Sequence, residues 1–133
     1  MDDMPDPKSI YIVGAGQLGS RHLQALKAVE FPLDITVVDP SDASLKTARE
    51  RYEGGVGTQN HRIRFLREIP AVFDPIDIAI IPTNSNVRRQ IVQTISDRGR
   101  VRNIVFEKLL FDRRDDYFEV RKLLKSKGVN AWV

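Results

Sequence analysis

The sequence predicts a doubly wound α/β fold, a parallel sheet with helices on both faces, and three observations carry that prediction. Short β-branched apolar runs alternate with stretches of helical period from one end of the chain to the other. The first run stops at a glycine-rich turn that opens a helix, and the second run stops at an acidic residue. Strands separated by single helices make βαβ units, whose handed crossovers build a parallel sheet.

Each element follows from local pattern. Ser9 to Val13 is a compact apolar run ending at Gly14, as a buried strand does. Leu18, His22, Ala25, Leu26 and Val29 recur at three- and four-residue spacing and predict the buried face of a helix that Pro32 closes. Leu33 to Asp39 reads as the second strand. Ser41 is placed to cap a second helix with Leu45, Ala48 and Tyr52 on its inner face, and Gly54, Gly55 and Gly57 end it. Arg62 to Leu66 is a weaker strand, followed by an expected short turn of helix near Pro70. Ile76 to Ile81 is a strand broken at Pro82. The helix after Asn84 is expected to bury Val87, Ile91 and Ile95 and to end near Gly99. Asn103 to Phe106 forms the next strand. A helix from about Asp112 carries Tyr117, Val120 and Leu124 to Gly128, and Val129 to Val133 opens a last strand.

Composition narrows the function. The 133 residues match one domain, with 41% hydrophobic and 29% charged residues, an ordinary globular balance. No apolar run is long enough to span a membrane, and the acidic, proline-broken start is unlike a signal peptide. Without cysteine, disulfides, zinc fingers and thiol nucleophiles are excluded, and two histidines far apart make a metal site unexpected. The expected setting is cytoplasmic. The net charge is +3, concentrated between Arg88 and Lys127, where 12 basic residues are interleaved with 6 acidic ones. Without aromatic stacking platforms this reads as a solvated face, Arg88 and Arg89 included, and not as a nucleic-acid surface. The apolar ending Ala131-Trp132-Val133 reads as a cut within something longer, with Trp132 expected in a core or domain junction.

Gly14-Ala15-Gly16-Gln17-Leu18-Gly19 is a GxGxxG turn placed between the first strand and the first helix. In that setting the first glycine permits the tight turn, the second lets backbone approach a pyrophosphate, and the third lets helix and strand pack. N–H groups around Gln17 and Leu18 then face phosphate with the positive end of the helix dipole. Asp39 lies 20 residues beyond Gly19, at the end of the second strand, where a carboxylate accepts from the adenine ribose hydroxyls. Pro40 and Ser41 border the same place. Neither they nor Asp42 offers a cation for a 2′-phosphate, so NAD is expected over NADP.

Gly14-x-Gly16-x-x-Gly19-x-x-His22-x-x-Ala25-Leu26 resembles the opening of the Gfo/Idh/MocA oxidoreductases, which include glucose–fructose oxidoreductase and inositol dehydrogenase. Ile80-Ile81-Pro82-Thr83-Asn84 looks like that family's loop after strand four, and Glu107-Lys108 like its Glu-Lys-Pro signature after strand five. The resemblance runs through nearly the whole chain and covers only the family's N-terminal NAD(P)-binding domain. It implies that residues 1–133 are one dinucleotide-binding domain, that the C-terminal substrate domain is absent, and that the chain is monomeric. It implies Lys108 as the catalytic residue beside nicotinamide and substrate, with Pro82, Thr83, Asn84 and Glu107 bordering the cofactor's ribose and nicotinamide end. The substrate class it implies is a sugar or cyclitol. Leu109 stands where the signature has proline, and the histidine common after the loop asparagine is here Val87, or Arg88 with a shifted register. Read without the resemblance, Lys108 is a surface lysine and His22 a packed, hydrogen-bonded residue.

Two other classes share the glycine turn and the acidic strand end. A nucleotide-sensing regulatory module of the potassium-transport type has this length, but lacks the Glu-Lys pair and usually the Pro-Thr-Asn loop. A methyltransferase usually has an acidic residue just before the first glycine, where this chain has Val13.

Overall fold

The computed structural model describes residues 6–57, 60–107 and 113–133. The chain runs β1 (Lys8–Val13), α1 (Gln17–Leu26), β2 (Leu33–Val38), α2 (Asp42–Glu53), β3 (Arg62–Leu66), β4 (Ile76–Ile81), α3 (Ser85–Arg98), β5 (Val101–Phe106), α4 (Arg114–Lys127) and β6 (Asn130–Trp132). All neighbouring strands pair in parallel, in the order β3-β2-β1-β4-β5-β6. The winding reverses between β1 and β4, and the crevice beyond their carboxyl ends is where open α/β sheets take ligands.

Alternate residues of β1 enter two different cores. Ile10 and Ile12 join Leu23, Ile35, Val37 and Ala48 on the side of α1 and α2. Tyr11 and Val13 join Ile81, Val92, Ile95, Ile104, Val120 and Leu124 on the side of α3 and α4. A strand covered on both faces has no polar side, which is why β1, β2 and β4 read as nearly continuous apolar runs. Ser41 caps α2, its Oγ accepting from Ser44 N at 3.2 Å. Gly128 ends α4 in the left-handed region at φ +67°, and Val129 N donates back to Leu124 O at 3.0 Å.

Four expectations are corrected. No helical turn forms near Pro70; residues 67–75 cross from β3 to β4 as bends, and Phe73 packs its ring 5.5 Å from that of Tyr11. The buried face of α1 is Gly19, Ser20 and Leu23, while Leu18 is 52% exposed and Ala25 is also exposed. Packing of the glycine turn sets this rotation: a Cβ on Gly19 would lie 1.8 Å from Gly14 O, so Gly19 must face the sheet and Leu23, one turn on, follows it. In α3 the buried residues are Arg88, Val92, Ile95 and Ser96, with Val87 exposed. Arg88 therefore does not belong to a solvated face, whereas Arg89 is partly exposed and ion-paired at the surface to Asp116 (3.4 Å) and Glu119 on α4. Finally, of the two places expected for Trp132, the core is excluded, since it is 61% exposed on β6.

Candidate functional site

The cleft at the β1/β4 reversal has a volume of about 750 Å³. Gly14, Gly16, Gln17, Leu18, Asp39, Pro40, Pro82, Thr83 and Asn84 line it, so nine of the residues singled out in the sequence meet around one space. Three elements bring them together. The glycine turn leaves the carboxyl end of β1 at the centre of the sheet, Asp39 and Pro40 leave β2 beside it, and Pro82 to Asn84 leave β4 on the other flank.

Each glycine of the turn answers a different constraint. Gly14 has φ +120°, and a Cβ there would sit 2.7 Å from Thr83 Cγ2, so only glycine lets the loops after β1 and β4 touch. Gly14 N donates to Val38 O at 2.8 Å, which carries the turn across onto β2. A Cβ on Gly16 would meet nothing within 4 Å: its missing side chain opens onto unfilled space in the cleft. Gly16 is also the N-cap of α1, and no side chain caps that helix, in contrast to Ser41 on α2. The first N–H groups of α1 thereby have no side-chain cap, and the helix dipole would favour an anion there.

Asp39 organises the other flank. Its Oδ2 accepts from Ala15 N at 2.7 Å and its Oδ1 from Ser41 N at 2.8 Å, so one carboxylate ties the glycine turn to the start of α2. Each oxygen keeps a second lone pair for a hydroxyl. Ala15, though named with the site, is buried, and it contributes this N–H. Ser41 acts as the α2 cap and Gly19 as the helix–strand contact, both away from the cleft wall. Glu107 is held by His22, whose Nε2 lies 3.1 Å from Glu107 Oε1, so His22 is the packed, hydrogen-bonded residue its helical position predicts. Lys108 and Leu109 lie outside the described residues.

Sequence reasoning missed Arg67, Glu68 and Ile69, which follow β3 and line the cleft beside Asp39 and Pro40. Arg67 is far from Asp39 in sequence, so a search for cations next to the strand-two acid overlooks it. Its guanidinium is held by the Asp42 carboxylate, with Nε 2.8 Å from Oδ1, and this partner raises its pKa further above the usual arginine value. Thr83 Oγ1 is buried without a protein partner on the wall of the cleft.

A glycine cradle that a Cβ would fill, an uncapped helix start, a carboxylate at the end of β2 and an orphaned hydroxyl after β4 together define a dinucleotide-binding Rossmann domain. The family comparison is specific: residues 8–133 match the Gfo/Idh/MocA model, described as an oxidoreductase family with an NAD-binding Rossmann fold, and the chain belongs to that family. No curated protein sequence matches it. Among solved structures it is similar to myo-inositol 2-dehydrogenase from Lactobacillus plantarum (18% identity, TM-score 0.69, 95% of this chain and 36% of that one). It is also similar to the WlbA dehydrogenase from Chromobacterium violaceum, solved with NADH and UDP-GlcNAcA (22%, 0.71, 97% and 35%). A third is an oxidoreductase from Agrobacterium radiobacter, solved with NAD+, L-tartaric acid and magnesium (16%, 0.73, 93% and 34%). The chain thus spans about a third of the length of these proteins. Among the described residues no helix is long and apolar enough to cross a membrane.

Proposed function

We propose that this chain is the cofactor-binding part of a dehydrogenase that moves a hydride between a sugar or cyclitol carbon and NAD. The observation that carries the reading is the continuity of the cleft, from the Asp39 carboxylate, past the open face of Gly16, to the buried hydroxyl of Thr83. Asp39 would hold the adenine ribose, the α1 N-terminus the pyrophosphate, and Pro82, Thr83 and Asn84 the nicotinamide half. Bound nicotinamide supplies the hydride acceptor. The sugar and cyclitol class rests on the family and on the named substrates of its structural relatives.

NAD is favoured over NADP because Asp39 repels a 2′-phosphate and the nearby Arg67 is already committed to Asp42. Lys108, which follows Glu107, is proposed as the group that orients the substrate hydroxyl and assists its proton transfer. Residues 1–133 would form one dinucleotide-binding domain, monomeric by itself, with substrate choice made by residues of a second domain. Alone it would bind cofactor and turn over little, since positioning the substrate removes a large part of the barrier.

Calorimetric titration with NAD, NADP, ATP and S-adenosylmethionine tests the reading. The expected result is preference for NAD, weakened about tenfold or more in Asp39→Asn at unchanged fold. Binding of ATP without NAD would replace it with the nucleotide-sensing reading, and binding of S-adenosylmethionine alone with the methyltransferase one.

A further inference from the structure

Arg88 is 2% exposed and is among the largest fully buried side chains in the described protein. It sits in the first turn of α3, the positive end of the helix dipole, where a cation is disfavoured, and its guanidinium has been taken out of water. A leucine or methionine would fill the volume without either cost. What the guanidinium supplies is a fork of donors: Nη1 donates to Glu107 O at 3.2 Å and Nη2 to Thr83 O. These two carbonyls lie just past the ends of β4 and β5, whose ladder pairing stops at Ile81 and Phe106.

The two residues so joined are tied separately to the glycine turn. The Thr83 methyl packs where a Gly14 side chain would be, and Glu107 is held through its carboxylate by His22 on α1. The contacts close a circuit, from Gly14 to Thr83, to Arg88, to Glu107, to His22 and back along α1. Two members of the circuit, Gly14 and Thr83, line the cleft, and the other three stand behind them. We propose that Arg88 is the positioning residue for the nicotinamide half of the site, holding Thr83 and Glu107, just past the ends of β4 and β5, at a fixed separation before the cofactor arrives. The proposal rests on the cofactor-binding reading above.

The test compares NAD with ADP, which has the adenosine and pyrophosphate but not the nicotinamide half, by calorimetry on the wild type, Arg88→Lys and Arg88→Gln. In Arg88→Gln, NAD affinity is expected to fall about tenfold while ADP affinity stays within about twofold, with Arg88→Lys between. Equal losses for the two ligands, or none, in folded variants would overturn the proposal. Failure of the wild type to bind either ligand would instead overturn the cofactor reading. Should neither variant fold, amide exchange of the unliganded wild type decides. Protection of the Val87 amide, which donates to Asn84 O at 3.2 Å, as strong as that of β4 supports a preformed start of α3, and exchange at the rate of an unstructured chain refutes it.

Discussion

Gly16 and Gly19 belong to one motif yet are asked to do different things, and alanine at each should separate binding from folding. At Gly19 the added Cβ would be 1.8 Å from Gly14 O and 2.9 Å from Gly14 C, both backbone atoms, so α1 has to move off β1. Overpacking of that kind costs about 3 kcal/mol, and more if the shift spreads along the helix. For a chain of this size that is a loss of roughly 10 °C in Tm. At Gly16 the same methyl meets no atom within 4 Å, and the backbone is extended at φ −66°, ψ −163°, open to alanine. Loss of a glycine N-cap and the gain from a stiffer unfolded chain nearly cancel, leaving Tm within about 3 °C of wild type. The methyl does project into the space where a pyrophosphate would approach the α1 N–H groups. Weakening one or two charge-assisted hydrogen bonds, each about 1.5 kcal/mol or more, lowers NAD affinity by ten- to a hundredfold. Scanning calorimetry with titration calorimetry reads both quantities on the same samples. Gly16→Ala binding NAD like the wild type would show that no phosphate lies against Gly16. A loss of Tm matching that of Gly19→Ala would show that the cradle is not open.

Two further predictions concern the scaffold. Burial raises the Tyr11 pKa above its ordinary value of 10.0 against the opposing hydrogen bond from Thr36. The folded state therefore holds its proton more tightly than the unfolded chain, and this stability is complete below pH 10 and lost as pH rises through the folded value. Thermal melts between about pH 8 and 11 should fall less steeply in Tyr11→Phe than in the wild type; equal slopes would refute the assignment. Lys27 is buried, with Nζ donating to Tyr52 O at 3.0 Å and Glu53 O at 3.2 Å, so it closes the negative end of α2. Lys27→Met should cost about 2 kcal/mol in urea unfolding without changing NAD affinity.

What could be read along the chain and what could not divide by the range of the interaction responsible. β2 and β4 appear at their expected bounds, less Asp39 on the first, because a strand covered on both faces needs an apolar residue at nearly every position. The Ser41 cap, the Gly128 stop and the glycine turn were legible for a similar reason: each answers a backbone demand within a few residues of itself. The faces of α1 and α3 were not legible. Several apolar stripes were compatible with each helix, and the choice fell to contacts between elements far apart in sequence, Gly19 against Gly14 for one and Arg88 against the ends of β4 and β5 for the other. Adjacent arginines look solvent-facing in a linear chain because burying a guanidinium is costly. Only the folded sheet, with two carbonyls left over beyond its ladder, supplies acceptors that offset part of the cost of burying Arg88. The same holds for Arg67, brought to Asp39 by the pairing of β3 with β2, a neighbour relation the linear chain does not contain.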